Sequence, residues 1–126
     1  MTRLLLVVAG GSLGALARYG LSGLAHRLYG GTLPVGTLAV NVLGCLLAGS
    51  AMSLIEDRQA LSSEARTFLL IGVLGAFTTF SSFGYETLAL LRSGENGRAL
   101  LNVAANVVLG LGAVWIGWGA TRALFQ

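Results

Sequence analysis

The chain has 126 residues, 55% of them apolar and only 10% charged, and its mean hydropathy is +0.79. A soluble domain carries about 25% charged residues and a small one has the most surface to solvate, so these values exclude an ordinary soluble enzyme, a disordered chain and a coiled coil, and they place the chain in a bilayer. All eight basic residues are Arg, at 3, 18, 27, 58, 66, 92, 98 and 122, against five acidic ones; scattered in this way they form no basic patch, which argues against nucleic acid as a partner.

Uncharged stretches mark the spans. Residues 28–55, 67–85 and 99–121 contain no charge, and Arg18 alone interrupts 4–25. A spanning helix needs about 20 mainly apolar residues. Four transmembrane helices are therefore expected, over about 4–25, 35–55, 67–91 and 99–122, as one all-α membrane domain covering residues 1–126. The connections, 26–34, 56–66 and 92–98, are too short to build a soluble domain.

The first span follows Arg3, as a signal peptide would. Its Gly10-Gly11-Ser12-Leu13-Gly14-Ala15 stretch reads instead as a close helix–helix contact, with no polar mature region behind it. Gly11, Gly14 and Arg18 are assigned to helix packing, although Arg18 can equally extend its head to the membrane surface. The second span carries Asn41 and the lone Cys45, which cannot form an intrachain disulfide.

The third span concentrates the polar groups. Its block Gly72-Val-Leu-Gly75-Ala-Phe77-Thr78-Thr79-Phe80-Ser81-Ser82-Phe83-Gly84-Tyr85-Glu86 puts hydroxyls between phenylalanines at every third position. Two structures fit this pattern. One is a continuous helix whose hydroxyls bond back to the preceding turn; the other is a broken helix that presents backbone groups to ions. The rings either pack against lipid or offer their positive edges to a small anion. Glu86 either reaches the surface or lies at a pore mouth.

In the fourth span Asn102 and Asn106 share a helix face that continues through Gly110, Ala113 and Gly117. These amides either bond between helices or form a polar track in which their donors replace an ion's water. His26 is the only histidine, and no catalytic constellation or phosphate loop is present, so no enzymatic activity is expected.

With four spans, Arg3, Arg58, Arg66 and Arg122 fall on one side and Arg27, Arg92 and Arg98 on the other, joined by Arg18 if it counts toward that end. The positive-inside rule needs an asymmetry to act on. A chain without one inserts either way round, and two copies can then pair antiparallel.

Three blocks carry a family resemblance: Gly10-Gly11-Ser12-Leu13-Gly14-Ala15-Leu16-Ala17-Arg18-Tyr19, Gly36-Thr37-Leu38-Ala39-Val40-Asn41, and Gly75-Ala76-Phe77-Thr78-Thr79-Phe80-Ser81-Ser82-Phe83. Together they resemble the Fluc (CrcB) fluoride channels across all four spans, the third block being the most specific. The resemblance implies a multi-pass channel of the cell inner membrane that exports fluoride passively and so confers resistance to it. It implies an antiparallel dual-topology homodimer with two pores and a central structural sodium ion. That ion would be held by the backbone carbonyls of Gly75 and Thr78. The phenylalanine box would be Phe80 and Phe83, and the second-span asparagine Asn41. The polar track would include Thr79, Ser81 or Ser82 and Asn106, with Glu86 at the acidic position of the ion path. Two departures stand out: Ser82 replaces a threonine common in the family, and Gly110 stands where many members have a polar residue.

Two other readings compete. A small dual-topology proton-coupled multidrug exporter needs a carboxylate in the first span, and residues 4–25 contain none. A purely structural membrane protein leaves the block of hydroxyls and rings without a purpose.

Overall fold

A computed structural model describes residues 1–31, 33–56 and 60–125. Arg58, counted above in the charge balance, lies outside them. Four stretches are helical, long and apolar enough to cross a membrane: Thr2–Tyr29, Val35–Glu56, Ser63–Arg92 and Asn96–Leu124. Among the described residues there is no strand. Each helix outruns the apolar stretch that foretold it, because backbone hydrogen bonding continues through charged residues that hydropathy counts as ends. Helix α1 (Thr2–Tyr29) has 28 residues, about 42 Å at the α-helical rise, and so exceeds the roughly 30 Å hydrocarbon layer.

Local chemistry sets the ends. Pro34 precedes α2 (Val35–Glu56), where its missing N–H costs nothing, and its carbonyl accepts the first helical bond from Leu38 at 3.2 Å. The third span opens with α3 (Ser63–Arg66), capped by the Ser62 side chain accepting from the Ala65 N–H. A π-helical segment, Thr67–Leu74, follows, and then the single turn α4 (Gly75–Phe77). Thr78 and Thr79 have extended backbones, at φ −83° and −151°, before α5 (Phe80–Arg92) begins. The return into α6 (Asn96–Leu124) turns at Gly94, whose φ of +78° a residue with a Cβ adopts only under strain.

The helices meet through glycine. A Cβ at Gly10 would lie 2.6 Å from the Phe68 carbonyl oxygen, and one at Gly72 2.9 Å from the Gly10 Cα. One at Gly14 would collide with the Val73 carbonyl. The close contact of α1 with the third span thus falls on Gly10 and Gly14. A Cβ at Gly11 would meet nothing within 4 Å, since a helix turns by about 100° per residue and carries Gly11 off the face that meets the third span. The most extensive pairing is α2 on α6, where Cβ atoms at Gly49 and Gly117 would strike the Val114 and Leu46 carbonyls. Backbone oxygens cannot swing aside as side chains do. Gly49→Ala therefore lowers the melting temperature in detergent, at the roughly 1–3 kcal/mol typical of overpacking. Gly119→Ala, with open space around the added methyl, leaves the melting temperature unchanged or raised.

The third span changes partners along its length. The π-helical segment and α4 pack on α1, whereas α5 packs on α6 and more lightly on α2. Thr78 and Thr79 sit at the changeover.

Candidate functional site

The extended pair is held by an amide. The Thr79 N–H donates to Asn41 Oδ1 at 2.8 Å, and Asn41 Nδ2 donates to the Thr79 carbonyl at 3.2 Å. An extended residue normally exchanges such a pair of bonds with a neighbouring strand, and here one side chain supplies both. A continuous helix would have given the Thr79 N–H to the Gly75 carbonyl. Thr78 still bonds back to Leu74, through its N–H and its hydroxyl, each at 3.1 Å.

Thr79 also caps α5. Its hydroxyl accepts from the Ser82 N–H at 3.2 Å and donates to Ser82 Oγ at 2.9 Å, with Ser81 Oγ 3.4 Å away. Thr79 is buried, Ser82 half-buried and Ser81 exposed. The structure thereby gathers Thr79, Ser81 and Ser82 around the start of one helix, directly beside Asn41.

The amide chain runs on into α6. Asn41 Nδ2 donates to Asn106 Oδ1 at 3.0 Å, and Asn106 Nδ2 donates to the Asn102 carbonyl and Oδ1 at 3.0 and 3.1 Å. Asn102, buried in the interface, donates to Thr87 Oγ1 at 2.9 Å. The sequence left open whether these amides bond between helices or face an ion; both Nδ2 bonds of Asn41 and of Asn106, and one from Asn102, are made within the chain. Of the stripe along this face, Asn102, Gly110, Ala113 and Gly117 are buried. A Cβ at Gly110 would come 3.5 Å from Cys45 Sγ, so the thiol borders the space that a longer residue there would occupy.

The rings divide. Phe77 is buried at 6% exposure and Phe80 is 82% exposed, while Phe83 is half-buried. The Phe80 and Phe83 centroids lie 5.3 Å apart with planes tilted by 57°, so an edge and a face are presented side by side.

A groove of about 820 Å³ opens beside this cluster. Thr37, Thr79, Ser82 and Glu86 line it, with Arg18 and His26 from α1. Thr37 donates to Glu86 Oε1 at 2.6 Å, while Glu86 Oε2 is buried without a hydrogen-bond partner among the described residues. Arg18, assigned above to packing, thus also borders the groove. Thr37, quoted only within a block of the resemblance, and Thr87 were given no role from the sequence, although Thr37 stands one helical turn before Asn41 and Thr87 one turn after Phe83. That i, i+4 spacing was the available signal. Gly75 is exposed and Thr78 half-buried. Among the described residues no three His, Cys, Asp or Glu side chains gather to hold a metal.

Residues 5–118 match the family model described as CrcB-like protein, Camphor Resistance (CrcB). A fluoride-specific ion channel FluC from Thermus thermophilus is 51% identical over 124 residues, covering 98% of each chain. A channel of the same name from Nitratidesulfovibrio vulgaris is 43% identical, over 97% of this chain and 98% of its own. Another, from Opitutus terrae, is 47% identical over 93% of this chain and 90% of its own. A family match over this much of the chain, with relatives aligned almost end to end, leaves one assignment: the chain is a multi-pass membrane protein and belongs to the CrcB family.

Proposed function

We propose that this chain is a fluoride-specific channel of the inner membrane, acting passively as an antiparallel, dual-topology homodimer. The observation that carries the reading is the Asn41–Thr79 clamp. It holds two extended residues in the middle of a spanning segment and sets the Thr79 and Ser82 hydroxyls along a groove, at the start of the helix that carries the Phe80–Phe83 ring pair. The relatives named as fluoride-specific channels point the same way.

Fluoride is small and strongly hydrated, so a pathway must replace its water at close range without trapping it. The Ser81 and Ser82 hydroxyls supply donors, and the edges of Phe80 and Phe83 supply partial positive charge with no formal charge. Asn41 and Asn106 serve the pathway chiefly by shaping it, since their amide hydrogens bond within the chain. Glu86, tied to Thr37, borders the groove mouth with Arg18. Phe80 is left almost bare by a single chain, and the space beside Thr79 and Ser82 is an open groove. Both points support pairing of two copies, as does the even sorting of the arginines.

The donor chemistry suits a structural sodium ion at the interruption of the third span. Oxygen donors fit a hard cation, and the Thr79 N–H that would occupy the Gly75 carbonyl in a continuous helix goes to Asn41 instead. The carbonyls of Gly75 and Thr78 are the residues that would hold it. A bound ion there supplies a fixed positive charge between the two copies. The exporter reading lacks its first-span carboxylate, because α1 contains neither Asp nor Glu.

Fluoride release from liposomes carrying the purified protein, followed with a fluoride electrode and compared with chloride, tests the proposal. Rapid fluoride release with negligible chloride release is expected; no fluoride flux from correctly inserted protein overturns it. Exchanging sodium for a large organic cation lowers flux or shifts the protein toward monomer, and indifference to the exchange removes the sodium site.

A further inference from the structure

We infer that Asn102 and Thr87 are positioning residues that fix the rotation of α5, and with it the direction in which Phe83 points. The inference rests on the channel reading, in which Phe83 faces the ion.

Thr87 Oγ1 donates to the Phe83 carbonyl at 2.8 Å. Its single proton is thereby used, so the contact with Asn102 Nδ2 at 2.9 Å has Asn102 as donor. Asn102 is only 4% exposed, and its Oδ1 and carbonyl are both engaged by Asn106. Asn106 in turn accepts from Asn41, which grips Thr79, the cap of α5. The hydrogen bonds thus form one line from Thr79 through α2 and α6 and back to the second turn of α5. Phe80 and Phe83 lie between its two ends.

Within one chain, apolar packing alone holds this rotation only lightly. Leu90 is the one buried residue of α5, and Phe80, Tyr85, Leu88 and Leu91 are exposed. A smooth, lightly packed helix can turn about its axis at little cost, whereas hydrogen bonds are directional. The α2 contact from Thr37 to Glu86 adds a second hold, about 100° further round the helix. Neither Asn102 nor Thr87 needs to touch the ion for the effect to reach it.

The test reconstitutes Thr87→Val, Thr87→Ser, Asn102→Ala and the Asn102→Ala/Thr87→Val pair, with Phe83→Ile in parallel. Thr87→Val keeps the shape and loses the hydroxyl. It is expected to cut fluoride flux about tenfold, the effect of roughly 1.4 kcal/mol on a barrier, and to narrow the fluoride-to-chloride ratio, with an unchanged elution profile. Thr87→Ser restores the hydroxyl and recovers at least half of the flux. The double variant is no worse than the more damaging single one, because both remove the same connection. Wild-type flux and selectivity in Thr87→Val overturn the inference, as does equal loss in Thr87→Ser, which would assign the effect to the methyl group. Aggregation of Thr87→Val also overturns it, making the connection a folding element. If Phe83→Ile blocks flux while Thr87→Val does not, the positioning role alone fails; if Phe83→Ile is silent, the ring-edge reading fails with it.

Discussion

Phe83→Ile abolishes fluoride flux while leaving the chain folded. Isoleucine fills much of the same volume in the half-buried site between α5 and its neighbours, so packing changes little. What disappears is the ring's positive edge, in a ring whose centroid lies 5.3 Å from that of Phe80. Removing one preorganised stabilising group typically costs about 100- to 1000-fold in rate, and a loss of that order is expected in the liposome assay. The elution profile and melting temperature stay near those of the parent protein. Unchanged flux would confine Phe83 to packing and return the choice of anion to the hydroxyls alone.

Asn41→Leu has the second large effect, and it strikes stability and flux together. Leucine matches the asparagine in size but leaves the Thr79 N–H and carbonyl, and Asn106 Oδ1, without their partners. Each buried polar group left unpaired costs about 1–3 kcal/mol, and no water in the surrounding hydrocarbon can relieve the loss. A lower melting temperature in detergent and near-complete loss of fluoride flux are expected. A variant that melts and conducts like the parent would show that Thr78 and Thr79 hold their extended shape without the clamp. The two substitutions therefore separate chemistry from architecture: Phe83→Ile silences the pathway without loosening the protein, whereas Asn41→Leu loosens both.

Much of this molecule was legible before any coordinates. The four spans follow from where charge is absent, and their centres agree with the helices to within a few residues. The stripe of Asn102, Asn106, Gly110, Ala113 and Gly117 was read from helical spacing, and all of it but the half-buried Asn106 is buried in α6. Periodicity registers such features because a helix commits each side of itself to one environment along its whole length.

Other features escaped because they depend on rotation and on partners distant in sequence. Gly10 and Gly11 are indistinguishable as letters, and only the crossing of α1 with the third span selects Gly10 and Gly14 as the points of contact. Arg18 and Glu86 sit 68 positions apart in the sequence, and only folding sets them along one groove.

By itself, then, the sequence determined the solvent, the number of spans and the positions of the few polar groups that a bilayer would otherwise reject. Tertiary structure alone decided what those polar groups do for one another. Asn41 could have faced lipid, an ion or another helix. It meets the extended backbone of Thr79 because α2 passes the place where the third span leaves α1 for α6. The physical reason is the directionality of hydrogen bonds in a medium without water: each donor must find an acceptor within about 3 Å, and only the packed arrangement of all four helices brings the pairs that close.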